Sequence, residues 1–160
     1  MAVDIFLKLQ GINGESEDQT HSNEIDIIGW TWGMSNMGTA HMGGGAGTGK
    51  ANFNDIAVTK YVDLASTSLL KACASGKHVP EAVITVRKAG EKPLEYVVIT
   101  MKKVFIANVQ FGGNAGSEQV TEVITLNFAE IDFKYQGQGD TGSSDGSDSF
   151  KWNIPKNAAA

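Results

Sequence analysis

Alternating apolar and polar residues open the chain. Between Val3 and Gln10 the apolar side chains fall on the odd positions, and Phe6 is the one apolar residue among the even positions. Successive side chains of a strand point to opposite faces, so this segment is predicted to be a half-buried strand. The polar, glycine-containing stretch 11–23 is predicted to be a loop, and a second strand is predicted to start near Glu24.

The second predicted strand has two unlike faces. Ile28, Trp30 and Trp32 share one face, whereas Thr31 and two flanking glycines share the other. The tryptophans are expected to fill the interior of a barrel or a seam between subunits, because large aromatic side chains dominate cores and interfaces. The opposite face is expected to be unusually flat.

A helix is predicted at about Leu64 to Ser75. Its start is marked by Asp63 or Ser66, whose side-chain oxygens can accept hydrogen bonds from free backbone N–H groups. Gly76 suits the left-handed position after the last turn. The residues that follow the spacing of one helical face are Val62, Ala65, Leu69 and Cys73.

The second half of the chain is rich in strand patterns. Strands are predicted at 83–88, 95–103 and 104–111, and 119–135 is predicted to be one long strand whose apolar phase slips near Ala129. A slip of one residue is typical of a β-bulge. Residues 137–149, rich in Gly, Ser and Asp, are predicted to be a flexible segment, and Phe150–Ile154 is predicted to be an edge strand.

About eight strands and one helix predict a mainly β protein, a closed or nearly closed antiparallel barrel with the helix on its side. The 160 residues suit one domain spanning 1–160. The formal net charge of −5 argues against a nucleic-acid partner. No segment reads as a membrane span or a signal peptide, and the single Cys73 cannot form an internal disulfide, so folding in the cytoplasm is expected.

The segment 34–50 is dominated by glycine and is predicted to be a long excursion from the sheet, with a glycine-rich loop at 38–50. Gly44, four residues, and then Gly49-Lys50 match most of a phosphate-binding loop. Ala51 stands where a Ser or Thr hydroxyl would hold magnesium. Residues 51–59 alternate and are predicted to be a third strand, whereas a phosphate-binding loop must open a helix. Nucleotide binding is therefore disfavoured, and a glycine-rich contact loop is the preferred interpretation.

No other group of residues in the sequence predicts a catalytic, metal-binding or cofactor-binding site. The three histidines, His21, His41 and His78, lack zinc-ligand spacing with one another or with Cys73. The spacing of Asp140, Asp145 and Asp148 does not fit the calcium-binding loop of an EF-hand. These residues are expected to lie in solvated turns. No catalytic, cofactor-binding or metal-binding residue is predicted, and the chain is not expected to be an enzyme. A secreted ligand-binding β-module stays open as an alternative, in which Trp30 and Trp32 could stack a sugar.

Several segments resemble the haemolysin-coregulated protein (Hcp) family of type VI secretion systems, and they occur in the same order over almost the whole chain. The segments are Asp4-Ile5-Phe6-Leu7-Lys8, Gly14-Glu15-Ser16, Glu24-Ile25-Asp26, Trp30-Thr31-Trp32-Gly33, His41 to Lys50, Thr59-Lys60-Tyr61-Val62-Asp63, Ser75-Gly76-Lys77-His78, Val86-Arg87-Lys88-Ala89-Gly90, Leu94-Glu95-Tyr96, Gly112-Gly113, Thr125-Leu126-Asn127-Phe128-Ala129 and Lys151-Trp152-Asn153-Ile154.

The resemblance implies a two-sheet β-barrel with a flanking helix, six copies in a ring, and rings stacked into a tube. It further implies a contractile sheath around the tube, a VgrG spike at its tip, and small effector proteins carried or chaperoned in the lumen. The protein would fold in the bacterial cytoplasm and leave the cell through the type VI system, without a signal peptide and without any cofactor.

Contact residues are expected in the glycine-rich loop, because a glycine backbone can approach a neighbour closely. The residues predicted to contact an adjacent subunit or ring are Gly38, His41, Met42, Gly43, Gly44, Gly45, Gly47, Gly49 and Lys50. Thr31 is predicted to face the lumen, because Trp30 and Trp32 on the same strand are expected to point into the core.

Overall fold

The computed structural model describes residues 2–38, 41, 49–139 and 144–160, which form twelve antiparallel strands and one helix. The strands are β1 (Val3–Leu9), β2 (Ile25–Asp26), β3 (Gly29–Thr31), β4 (Met34–Asn36), β5 (Ala51–Phe53), β6 (Ile56–Tyr61), β7 (His78–Lys88), β8 (Leu94–Gly112), β9 (Thr121–Asn127), β10 (Glu130–Gln138), β11 (Ser144–Asn153) and β12 (Ala158–Ala159), and the helix is α1 (Ala65–Ser75). The prediction of a mainly β protein with one helix is confirmed.

Strand β8 belongs to two sheets, because its two halves have different partners. Its first half pairs with β7 and β10, within a sheet of order β12-β11-β10-β8-β7-β1-β2. Its second half, from Phe105 onward, pairs with β9, and the order continues from β9 to β6 and β3. We call these the large sheet and the small sheet. At 19 residues, β8 is longer than most strands, which allows it to join both.

The two sheets also approach each other on the far side from β8. The N–H of Ile27 donates to the carbonyl of Ile5 at 2.9 Å, and the N–H of Ile28 donates to the carbonyl of Thr59 at 2.8 Å. The residues between β2 and β3 therefore connect the edge of one sheet to the edge of the other. Among the described strands the ladder itself does not close into a complete ring.

The core lies between the sheets and is built from the inward positions of the alternating strands. Its members are almost all aliphatic, and each such side chain contributes about 1.5–3 kcal/mol when fully buried. The residues with no exposed surface in this cluster are Leu7, Ile25, Ile56, Val58, Ala65, Leu69, Ala82, Ile84, Ile99, Met101, Val104, Ile106, Ile124 and Leu126.

Phe6, the exception in the first strand's alternation, lies on the outward face of β1 and is nevertheless buried. The ring of His21 stacks on it with centroids 4.3 Å apart, and the guanidinium carbon of Arg87 lies 5.0 Å from its centroid. The loop between β1 and β2 therefore folds back over the large sheet and covers this side chain.

The helix starts one residue later than predicted and ends as predicted. The carboxylate of Asp63 accepts a hydrogen bond from the N–H of Ala65 at 2.9 Å, as expected for a residue at a helix start. Ser66 does not cap the helix; its hydroxyl accepts from the N–H of Asp63 at 3.0 Å. Gly76 adopts the left-handed conformation, with φ 68° and ψ 23°, in agreement with the prediction.

Three predictions about the first half are wrong in detail. The strand expected from Glu24 onward is divided into β2 and β3, and the segment 34–50 is not an excursion from its first residue, because it begins with β4. Met34 pairs with Phe53 and Asn36 pairs with Ala51, so a short hairpin forms the stem of the glycine-rich segment. The strand expected over 51–59 is likewise divided, because β5 belongs to this hairpin and β6 to the small sheet.

In the second half, the slip in the apolar phase near Ala129 was located correctly. The prediction of one long strand with a β-bulge there is wrong, because β9 ends at Asn127 and β10 begins at Glu130. Between them the N–H of Ala129 donates to the carbonyl of Lys102 at 3.0 Å, and its carbonyl accepts from Ile154 at 2.9 Å. The chain changes sheet at this point. The segments expected at 95–103 and 104–111 form the single strand β8.

The segment predicted to be flexible, 137–149, contains the ends of two strands, and its flexibility stays a prediction. Residues 137–138 end β10, and residues 144–149 begin β11, which pairs antiparallel with β10. The final strand is therefore longer than the predicted 150–154 and forms one side of a hairpin. Its outer neighbour is the short β12.

Candidate functional site

The stem of the glycine-rich segment is a narrow hairpin whose backbones approach closely. A side-chain Cβ built on Gly49 would lie 2.5 Å from the carbonyl oxygen of Met37, closer than any real side chain comes to a backbone atom. Gly38, on the opposite side of the stem, is exposed, and no atom of the described residues lies within 4 Å of where its Cβ would be. Only one of these two glycines is therefore required by the stem itself.

Four of the nine predicted contact residues lie within the part of the chain that the structure describes. Gly38, His41 and Lys50 are exposed, and Gly49 is half-buried. The other predicted contact residues lie outside the described residues; they are Met42, Gly43, Gly44, Gly45 and Gly47.

Aromatic side chains fix the stem to the body of the protein. The ring of Trp32 stacks on Phe133 of β10 at 6.2 Å, and Phe53 stacks on Trp152 of β11 at 6.4 Å. The indole N–H of Trp32 donates to the carbonyl of Asn54 at 3.0 Å. The prediction that both tryptophans pack inward is confirmed, because Trp30 and Trp32 are half-buried against the core. The direction in which the hairpin leaves the sheet is thereby set by the large sheet.

Thr31 is exposed on the outward face of the small sheet. It lies opposite Ala57 of β6, and Ala57 lies opposite Thr125 of β9. The neighbouring outward row contains Gly29, Thr59 and Val123. These two rows carry only glycine, alanine, threonine and valine across three strands, and the sequence indicated the flatness only for the strand that carries Thr31.

A buried charged cluster was missed by the sequence reasoning. Lys60 and Glu122 have no exposed surface and face each other across β6 and β9, with Lys60 Nζ 2.7 Å from Glu122 Oε2. Lys60 Nζ also lies 2.9 Å from Asp63 Oδ1 and donates to Ser66 Oγ at 3.2 Å. The Ser66 hydroxyl donates to Glu122 at 2.6 Å. The cluster connects the small sheet to the start of α1.

A second charged cluster holds the loop between β1 and β2 in place. His21 lies between two carboxylates, with Nδ1 2.6 Å from Glu24 Oε2 and Nε2 2.7 Å from Glu95 Oε1. Arg87 donates from Nη2 to Asp18 at 2.6 Å and to Asp4 at 3.0 Å. The side-chain hydrogen bond from Arg87 holds the pKa of the Asp18 carboxyl well below its usual range. The same hydrogen bond raises the pKa of Arg87. Nothing in the local pattern of 11–23 signalled these partners.

The Asp18 contact predicts a dependence of stability on acid. Because the folded-state pKa of Asp18 is lowered, its stabilising contribution is present above the unfolded pKa of about 3.9 and is lost as pH falls below it. Asp18→Asn should therefore be less stable than the parent protein at pH 7, and the difference should narrow below about pH 4. Urea unfolding between pH 3 and pH 7 measures it.

The matched control for that series is Glu17→Gln, which removes a neighbouring exposed carboxylate that makes no hydrogen bond or ion pair within the described part of the chain. It should follow the parent protein at every pH. A difference between Asp18→Asn and the parent that is constant across the whole pH range would contradict the assignment of the Arg87 contact as its cause.

The enzyme-like alternatives gain no support from the described residues. The residues after Lys50 form strand β5, whereas a phosphate-binding loop must open a helix. No group of three or more His, Cys, Asp or Glu side chains within the described ranges could hold a metal ion. In the same ranges, none of the helical structure has the length and hydropathy needed to span a bilayer.

Comparison with known proteins decides between the remaining interpretations. The family model described as "Type VI secretion system effector, Hcp" matches residues 6–135. The protein hcp1 of Pseudomonas aeruginosa is 48% identical over the full length of both chains. The chain belongs to the Hcp family. Hcp1 from Salmonella typhimurium superposes with a TM-score of 0.81 at 34% identity and full coverage of both chains. A second solved structure, of a type six secretion system protein, superposes with a TM-score of 0.93 at 28% identity, covering 99% of this chain and all of the other.

Membership in the Hcp family confirms the fold class and the resemblance. The two-sheet arrangement with a flanking helix is shared with solved Hcp structures over the whole length of the chain. Type VI secretion is the context of the family, and its members assemble with copies of themselves. The contact and lumen residues expected from the sequence stay predictions.

Proposed function

We propose that this protein is a structural, non-enzymatic subunit of the type VI secretion tube, in which six copies form a ring and rings stack into the tube. The observation that supports this proposal is the full-length match to an Hcp protein at 48% identity, which includes every element of the fold. A tube subunit needs surfaces for copies of itself rather than a catalytic pocket, and the two charged clusters stabilise the fold without opening onto a cleft.

The outward face of the small sheet, with Thr31 at its edge strand, is proposed to line the lumen. Its small side chains make a flat wall, which suits a channel that must hold different cargo proteins without a deep specific pocket. Small effector proteins are the proposed cargo. A larger side chain at position 31 would project into the space that the cargo occupies.

The glycine-rich loop is proposed to contact an adjacent subunit or ring through Gly38, His41, Gly49 and Lys50 and through the loop residues between them. The aromatic contacts of the stem support this role, because they hold the hairpin at a fixed angle to the sheet. The further partners proposed are the VgrG spike and the contractile sheath. The proposed route is folding in the bacterial cytoplasm followed by export through the type VI system, independent of a cleaved leader.

Assembly in solution tests the proposed function. The purified protein should give six-fold rings by negative-stain microscopy and a mass of six subunits by light scattering. Detection of the protein in the culture medium should depend on an intact secretion machine. A protein that stays monomeric at micromolar concentration, and is absent from the medium of secreting cells, would contradict the proposal.

The lumen assignment predicts the effect of Thr31→Gln. The variant should form normal rings, because Thr31 is exposed and contributes little to packing, but it should retain effector proteins at least tenfold less well. Co-purification of a bound effector from cells measures the retention. Thr67→Gln, the same change at an exposed position of α1, is the control and should retain effectors normally. Equal retention by the two variants would exclude position 31 from the cargo surface.

A further inference from the structure

Four exposed apolar side chains form a ridge where β6 leads into α1. Tyr61, Val62 and Val120 are each 44% exposed, and Leu64 is 71% exposed. They are neighbours, because the N–H of Val62 donates to the carbonyl of Val120 at 3.0 Å and Tyr61 lies opposite Thr121 in the ladder. Leu64 follows Val62 by two residues, so four exposed apolar residues lie in one small region of the chain, whereas single exposed apolar residues need no explanation. We call these four residues the ridge.

A groove of 620 Å³ lies at the place where the chain changes from the small sheet to the large sheet. Its apolar lining comes from Pro80, Phe128, Ile154 and Pro155. Phe128 is almost fully buried, so it forms the floor, whereas Pro80 and Pro155 are exposed and form the walls. We call this concave surface the Phe128 groove.

The ridge and the groove lie at opposite ends of one strand. Val120 directly precedes β9, and Phe128 directly follows it. The seven residues of β9 lie between them, so eight rises of about 3.3 Å separate their Cα atoms by about 26 Å. A rotational or translational assembly of identical subunits joins two different surfaces of the same chain, head to tail. A convex and a concave apolar surface on opposite ends of a strand meet that requirement.

The charges around the two surfaces have opposite signs. Beside the ridge, Glu118 is exposed two residues before Val120, and Glu15 accepts a hydrogen bond from the N–H of Leu64 at 2.9 Å. The groove is lined by two exposed donors, His78 and Lys103. Opposite charges at the rim of a contact steer the partners and fix their register.

We propose that the ridge of one subunit occupies the Phe128 groove of the next copy, with Glu118 facing Lys103 across the rim. This inference rests on the proposed assembly into rings and tubes, and it names the two surfaces of the chain that meet. Leu64, the most exposed member of the ridge, enters the groove and contacts Phe128. The occupant is a second copy of this chain, because the carboxylates beside the ridge and the Lys103 ammonium beside the groove are complementary surfaces of one sequence.

Two complementary variants test the contact. Leu64→Asp places a charge on the ridge, and Asp is well tolerated at the residue before a helix, so the fold should persist. Ala129→Trp fills the groove beside Phe128. Each variant alone should lose ring assembly, with association at least tenfold weaker by sedimentation velocity. Leu70→Asp, the same change at another exposed leucine, on α1, should assemble like the parent protein.

Mixing the two variants distinguishes a head-to-tail contact from a general loss of assembly. The Leu64→Asp chain keeps an intact groove, and the Ala129→Trp chain keeps an intact ridge. The mixture should therefore give a 1:1 heterodimer that grows no further. Circular dichroism and thermal unfolding of each variant show that the monomer is folded.

The outcomes separate this inference from the proposed function. A parent protein that never assembles overturns both. A parent protein that forms rings while either single variant also forms rings overturns only the ridge and groove contact. Folded single variants that fail to form a heterodimer on mixing overturn it as well.

Discussion

Replacing Lys60 by Met should lower the free energy of unfolding by about 3–5 kcal/mol, because it leaves the carboxylate of Glu122 buried without its cation. Lys60 and Glu122 have no exposed surface, so water cannot replace the lost partner. Ser66 alone would still donate to Glu122, and one neutral hydrogen bond does not offset a buried charge. Urea unfolding followed by tryptophan fluorescence measures the change.

Two further variants locate the cause of that loss. The double variant Lys60→Met with Glu122→Leu removes both charges and should recover most of the stability, because paired buried charges are often replaced by apolar residues at little cost. Lys151→Met breaks an exposed pair, 3.9 Å from Asp132, and should change the stability by less than about 1 kcal/mol. If the double variant were as unstable as Lys60→Met, lost packing rather than an unpaired charge would be the reason.

The strands that the sequence predicted correctly are those whose faces differ sharply. In β1 the alternation gave the right bounds to within one residue, because most side chains of one face pack into the core, whereas two of the three on the other face, Asp4 and Lys8, are polar. The helix was equally clear, because Gly76 can adopt the left-handed conformation that ends it. Both features depend on local physics that the chain carries within a few residues.

The short strands β2 to β5 were not predictable, because their limits depend on distant partners. Met34 pairs with Phe53 across the glycine-rich segment, and no local pattern reports such a pairing. Likewise, Ser144 to Ser149 reads as a solvated turn by composition, yet it forms a strand because β10 offers it a continuous edge. Tertiary context overrides propensity in strands more than in helices.

The buried cluster around Lys60 differs from these, because the sequence carried a signal for it. Ile56, Val58 and Lys60 alternate into the core, and Glu122 begins the same kind of alternation in β9. Opposite charges at two core-facing positions of neighbouring strands indicate a buried pair. The position of His21 between Glu24 and Glu95 carried no such signal, since 74 residues separate His21 from Glu95 and the loop has no periodicity.

Replacing Gly49 by Ala should abolish tube formation while leaving the folded monomer intact. The added methyl group would lie 2.5 Å from the carbonyl oxygen of Met37, and neither backbone can move without opening the hairpin stem. The stem packs on the large sheet through Trp32 and Phe53, so opening it would turn the glycine-rich loop away from a neighbouring ring. Tube length by electron microscopy should fall at least tenfold, and thermal unfolding of the monomer should change by only a few degrees.

Gly38→Ala separates a requirement of the stem from a general requirement for glycine in the loop. Gly38 belongs to the same predicted contact set as Gly49, but no described residue comes within 4 Å of the place where its Cβ would lie. The variant should therefore form tubes of normal length. Equal loss in both variants would indicate that glycine is needed for contact with the neighbouring copy at both positions. Normal tubes from both would show that the stem can open without affecting assembly. Loss in Gly49→Ala alone is expected, because the close approach to Met37 lies within one subunit and must form before the loop can reach the next.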